Sequence, residues 1–303
     1  MRKKACDLTK KEDIKMNNED MRTRFYLKMT NGEIEEYLDR NDLVYIPVGN
    51  VENHGDFPVD VEQTVPEAFA LKLAEATDGL VLGNLSFFYT GNATLTSRAS
   101  INVSVMDGAA YLEKIATSLL NQGFRRQIYL SLHAPAVLTI GPVITQIFED
   151  TKIPIMYIDL VDVLKVAKID MYSDPKVMNI FYGAYKVLNR LEELPIRPGV
   201  PSRPLPMTTD FVNRLRTLAH MGAAVGFYFT DPDEHAGFDP LQSEDERDQR
   251  ASEGVEYIDK MIEAIDIEDV LARIKKIDDM TQNIVLPKHG KWLPRKKYPD
   301  PNY

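Results

Sequence analysis

The chain has 303 residues, a formal net charge of -10 and 44% hydrophobic content. That is enough apolar material for one large α/β domain or two small ones, and the acidic balance argues against nucleic acid or an anionic membrane as the main partner. The single Cys6 supports no disulfide framework, no apolar run nears the roughly 20 residues of a membrane-spanning helix, and the charged N-terminus has no signal-peptide core, so a cytoplasmic protein is expected.

Residues 1–25 read as a charged tail, and Asn31 to Arg40 as a short helix capped by Thr30 or Asn31. Leu43 to Pro47 is apolar throughout, long enough for a buried strand and too short for a helix, and Val48-Gly49-Asn50 ends it. The polar stretch that follows holds Glu52, His54, Asp60 and Glu62. Residues two apart in an extended segment point to one side, so Glu52 and His54 can meet on one cation if other segments supply further ligands. Mixed imidazole and carboxylate donors suit zinc, manganese or iron. A plain polar loop with His54 hydrogen-bonded to backbone fits the same spacing.

Thr64, followed by Pro66 and Glu67, predicts the cap of a helix that Asp78-Gly79 stops, and Leu80 to Leu82 predicts a second buried strand. Phe87 to Thr96 has no helical period and turns at Gly91-Asn92. Ile101 to Val105 alternates like a strand with one wet face. Asp107 then opens an amphipathic helix closed by Gly123. Gln127 to Leu132 is a buried strand with His133 at its C-terminal end, Val137 to Phe148 a helix, and Ile153 to Leu160 a further strand.

Val177 to Leu194 predicts a helix with Tyr182 and Tyr185 on one face, where a core pair is the plainer explanation. The proline-rich run Glu193 to Met207 is an irregular connection. Thr209 to Met221 predicts a helix, Ala223 to Phe229 a strand, and Asp231 to Gln242 a polar loop containing His235, facing either a site or solvent. Ser243 caps a long helix to about Ile265, with Glu246 at its third position; a shorter helix, Ile267 to Ile277, and a basic tail follow. His220, His289 and Trp292 read as structural, exposed or subunit-contact residues.

Alternating strands and helices predict a mostly parallel sheet with helices on both faces, a three-layer α/β/α sandwich. Ligands bind beyond the C-terminal strand ends of such sheets. Glu52 and His54 follow one such end and His133 another. The expected organisation is one domain over residues 26–280, flanked by tails at 1–25 and 281–303.

These blocks resemble the creatininase family. Pro47 to Glu62, PVGNVENHGDFPVDVE, is similar to its strand-ending Pro-x-Gly-x-x-Glu-x-His-Gly signature and the acidic ligand after it. Gly123 to Ala136, GFRRQIYLSLHAPA, is similar to its helix end, strand and histidine turn, and Ile101 to Val105 resembles a strand between them. The resemblance implies a creatininase-like fold, a one- or two-metal site, a homo-oligomer (commonly a hexamer) and hydrolysis of cyclic or linear amide C–N bonds in small molecules. Glu52, His54 and His133 fall on its metal-ligand positions. Glu62 takes the acidic one when Pro58 is aligned, with Asp60 close enough to serve instead.

The departures fall in the second half of the pattern. Ser131, Ala134, Pro135 and Ala136 stand where the family's turn is rich in Asn and Gly, and Pro135 replaces a glutamate ligand. Ile180 to Leu188 stands where a later catalytic block is expected, while a similar EHAG occurs only at Glu234 to Gly237. Two function classes follow: a metal-dependent hydrolase of an amide or lactam, or a family member that has lost that hydrolysis and binds a metabolite or performs another metal-assisted reaction. A hydrolase also needs an acid for the leaving nitrogen, for which His235, Asp60 and Tyr182 are the candidates, with Tyr185 beside them. Asp56 is expected to affect substrate access.

Overall fold

The computed structural model describes residues 21–83, 85–170, 174–201, 214–215, 218, 225–231 and 239–294. Four strands form its sheet: β1 (Leu43–Pro47), β2 (Leu80–Val81), β3 (Arg126–Ser131) and β4 (Met156–Asp159). Their order is β2-β1-β3-β4 and all three pairings are parallel, with Val44 opposite Leu80 and Gln127, and Ile128 opposite Met156.

Side chains alternate across β1. Leu43 and Tyr45 enter one core with α2 (Val61–Thr77), α5 (Leu160–Val166), α6 (Ile180–Val187) and α7 (Glu244–Ile265). Val44 and Ile46 enter a second core with α1 (Asn31–Leu38), α3 (Val105–Asn121) and α4 (Val137–Thr151). Burial on both faces is why the strand is apolar at every position. The result is the expected three-layer α/β/α sandwich. No described helix is long and apolar enough to cross a membrane.

The ends of the helices follow local chemistry. Thr30 and Glu33 form a reciprocal capping box on α1, and the Ser243 side chain accepts from the Glu246 N–H at the start of α7, as its sequence predicts. At α2 the expectation fails. The helix starts at Val61, not after Thr64, and the Thr64 hydroxyl donates back to the Asp60 carbonyl within the first turn. Ile101 to Val105 is not a strand either. Ile101 makes one isolated bridge to Val51, and the Ser104 side chain then accepts from the Asp107 N–H, turning the chain helical at Val105.

The later half departs further. β4 is shorter than the apolar run that suggested it, and the Val177 to Leu194 helix divides into a 3₁₀ turn (Pro175–Asn179), α6 and a second 3₁₀ turn (Leu191–Glu193). Asn189, at φ 56°, marks the break after α6. The described part of Ala223 to Phe229 has no place in the sheet; the Phe229 N–H donates to the Ala93 carbonyl at 3.1 Å, so this apolar run packs on a loop instead. Cys6, His220, His235 and nearly all of the Thr209 to Met221 helix lie outside the described residues. Residues 21–25, expected as tail, lie along β2, where Phe25 bridges to Val81. Beyond α8 (Ile267–Met280), residues 281–289 continue helically, and Trp292 is exposed.

Helices α6 and α7 meet at two glycines. A Cβ on Gly254 would lie 1.9 Å from the Asn179 carbonyl oxygen, and one on Gly183 would lie 2.4 Å from the Gly254 carbonyl carbon. Nothing larger than hydrogen fits there without separating the helices.

Candidate metal centre

Beyond β1 the chain passes beneath the first turn of α2. The Gly49 N–H donates to the Leu85 carbonyl at 2.9 Å, and a Cβ on Gly49 would lie 2.5 Å from the backbone of Gln63. Glycine is what lets α2 come this close. The loop closes where the Glu52 N–H donates to the Val59 carbonyl at 3.1 Å. Together these contacts set Glu62, on α2, above His54. His133 arrives from the end of the neighbouring strand β3.

Four buried side chains converge there. His54 Nε2 lies 2.8 Å from Glu62 Oε1. His133 Nδ1 lies 3.4 Å from Glu52 Oε2 and 3.9 Å from Glu62 Oε2. Glu52, His54 and Glu62 each present an atom within 4.8 Å of the others. Glu52 is only 1% exposed. Asn50 Nδ2 donates to Glu52 Oε2 at 2.9 Å and fixes that carboxylate.

Protonation follows from the partners. His133 Nε2 lies 3.0 Å from the Tyr89 carbonyl oxygen, which can only accept, so this nitrogen carries the proton. Nδ1 faces the carboxylates of Glu52 and Glu62. Burial pushes the His54 pKa down, but the hydrogen bond and charge of Glu62, aided by Glu52, more than offset it, and the pKa is raised. Glu62 Oε2 is buried with no hydrogen-bond donor among the described residues.

Two buried carboxylates beside two imidazoles form a pocket that a divalent cation between them would neutralise. Two imidazoles and two carboxylates form a donor set that zinc, manganese or iron accepts, and the Tyr89 contact is of the kind that orients a ligating histidine. The residues therefore fit a divalent metal.

The proposed acid residues are placed differently. Asp60 turns away from the cluster: its carboxylate accepts from the Tyr185 hydroxyl at 3.0 Å and from Arg190 Nη2 at 2.6 Å. Arg190 also reaches Glu193 and the Thr64 hydroxyl, tying α6 to the start of α2. Tyr182 packs its ring 4.6 Å from Phe57 and faces Arg250, and burial foremost pushes its hydroxyl pKa up to about 12. Neither Asp60 nor Tyr182 lines the cavity at the cluster. The Tyr182 and Tyr185 pair is core. Asp56 is likewise held by Arg197, at 2.5 Å. Asp60→Asn is expected to cost about 1 kcal/mol in chemical denaturation, the worth of one charge-assisted bond, while metal content stays at the wild-type level.

Asn50 and Tyr89 were not singled out in the sequence. Asn50 stands two residues before Glu52, the same spacing that linked Glu52 to His54, so it was open to the same reasoning. Tyr89 acts through its backbone carbonyl, which no residue type announces.

The cluster lines one end of a cavity of about 260 Å³. Loop residues 89–94, α5, the start of α6 and residues 225–229 build its other walls.

A model of the creatininase family, described as creatinine amidohydrolase, matches residues 27–182, just over half of the chain. A 3-dehydro-scyllo-inosose hydrolase of Thermotoga maritima is 29% identical over 110 residues, 36% of this chain and 35% of that protein. The match thus spans about a third of that relative's length. The crystal structure of a creatinine amidohydrolase (creatininase) superimposes over 86% of this chain and 98% of its own, with a TM-score of 0.54 and 16% identity. A structure described as creatininase Mn superimposes over 86% and 98%, with a TM-score of 0.51 and 15% identity. At these identities the structural likeness shows the fold.

Proposed function

The chain belongs to the creatininase family, and from that premise we propose that it is a metal-dependent hydrolase of an amide or lactam C–N bond in a small molecule. The observation that carries this reading is the buried convergence of His133 Nδ1 with the carboxylates of Glu52 and Glu62, beside His54. These four residues are the proposed ligands of one zinc, manganese or iron ion per chain. A second ion finds less support, since Pro135 stands where the family pattern has a glutamate.

When bound, the ion supplies Lewis-acid polarisation of a carbonyl and a more acidic water. The chain's own residues do the rest. Asn50 holds Glu52 in place, the Tyr89 carbonyl fixes the His133 ring, and Phe181, with its ring 5.8 Å from that of His54, covers the cluster from the apolar side. Exclusion of water strengthens each of these electrostatic contacts. To His235 we assign protonation of the leaving nitrogen. Support comes from the sequence, where Glu234 to Gly237 reads EHAG, similar to a stretch of the family pattern. His235→Ala should lower kcat about a hundredfold with metal content intact; an unchanged kcat removes it from the mechanism. A cytoplasmic homo-oligomer, hexameric by resemblance, completes the proposal.

The altered turn at Ala134 to Ala136 favours a second reading, a protein that keeps the metal and has lost amide hydrolysis. Elemental analysis with an amide and lactam panel separates the two. About one ion per chain, with hydrolysis that a chelator abolishes and metal restores, is the expected result. Metal without hydrolysis of any member supports the second reading. Absence of metal after loading defeats both.

A further inference from the structure

Outside the metal cluster, none of the described residues lining the cavity is Asp, Glu, Lys or Arg. The walls away from the cluster include Val161, Leu164, Ile180, Phe227 and Phe229, and Phe181 joins them to the cluster. The 89–94 loop brings Tyr89, Thr90, Asn92 and Thr94 to the lining, and the two threonine hydroxyls donate within the chain. Thr94 Oγ1 donates to the Gly91 carbonyl at 3.1 Å, and Thr90 Oγ1 donates to Asn102 Oδ1 at 3.2 Å.

A ligand rich in hydroxyls would lose its water here and regain few hydrogen bonds, a loss for each polar group buried. A hydrocarbon body loses nothing on entering and gains by leaving water. The acidic and imidazole side chains of the described lining are thus gathered in the cluster, where a carbonyl-bearing head would meet Glu52, His54, Glu62 and His133.

We infer that the substrate is a neutral molecule with one amide or lactam head and an alkyl or aryl body, and that the body lies against the Phe181, Phe227 and Phe229 wall. This inference rests on the proposed hydrolase reading for the identity of the head group and on the cavity wall for the body. A charged or polyhydroxylated small ring is the class the wall disfavours.

The test uses the zinc-loaded full chain and three compounds with the same head: pyrrolidinone, its phenyl derivative and its hydroxyl derivative. Binding is measured by titration calorimetry and turnover separately by chromatography. Burial of apolar carbon is worth about fourfold in affinity per methylene, so the phenyl derivative should bind at least about tenfold tighter than the parent, and the hydroxyl derivative no tighter than the parent. Phe227→Ser should erase most of the phenyl advantage while leaving the metal content unchanged. Equal or undetectable binding of the phenyl derivative overturns the inference, as does a phenyl advantage that survives in both Phe227→Ser and Phe229→Ser. The two readings fail separately: tight phenyl binding without turnover leaves this inference standing and counts against the hydrolase, whereas faster turnover of the hydroxyl compound keeps the hydrolase and removes the apolar body.

Discussion

Glu62→Gln is expected to reduce bound metal from about one ion per chain to near zero and to lower hydrolysis by about a thousandfold or more. Glutamine keeps the size of Glu62 and can still meet His54, but it removes the anion from one wall of the cluster. The remaining donors hold a divalent ion poorly, and the reaction loses most of its electrostatic stabilisation. The same substitution also acts on the metal-free fold. Glu62 is the buried carboxylate that raises the His54 pKa, so removing it breaks a buried charge pair. The apo form of the variant should therefore melt below the apo wild type, and the metal-induced rise in Tm should disappear. Elemental analysis and paired melting curves, with and without a chelator, read both effects. A variant that keeps full metal content would remove Glu62 from the ligand set, and a higher apo Tm would show that repulsion between Glu52 and Glu62 outweighs the His54 pairing.

Gly254→Ala is the second large effect. One added methyl would overlap the Asn179 carbonyl oxygen at 1.9 Å, and the near surface of α6 at this contact is backbone, which cannot rotate aside. Overpacking of this kind costs about 3 kcal/mol, and at roughly 2 °C per kcal/mol for a domain of this size Tm falls by about 6 °C or more. The damage should reach the centre, because α6 carries Phe181 against His54. Gly183→Ala, on the facing helix, should show a similar loss, and the double variant less than the sum, since both separate the same pair of helices. A Tm within a degree of wild type in both single variants would mean that the contact is looser than its geometry.

Much of this was legible in the residues. The unbroken apolar run of Leu43 to Pro47 announces a strand buried on both faces, and the regular return of strand and helix to Leu160 announces the parallel sheet. Glu52, His54 and His133 could be joined because strand ends in such a sheet share one rim. Where the reading failed, local chemistry was ambiguous. Thr64 with Pro66 and Glu67 reads as a cap, yet the helix already begins at Val61 and Thr64 bonds back within its first turn. Ile101 to Val105 alternates like a strand, yet Ser104 with Asp107 is also a helix cap. Ala223 to Phe229 has strand composition, and its two phenylalanines line a cavity instead. Tyr182 and Asp60 looked available for proton transfer because a sequence does not show that Arg250 and Arg190 already hold them. The glycines of α6 and α7 gave no signal, since helix contact by small residues depends on three-dimensional register.

The order of the sheet has a consequence for how the protein is made. β1 is synthesised early but lies between β2 and β3, and both of its strand pairings are with later, parallel neighbours. Such long-range pairings form slowly, and a half-made chain leaves its most apolar strand without a partner. The ribosome must deliver the chain past His133 before the rim that gathers Glu52, His54, Glu62 and His133 exists.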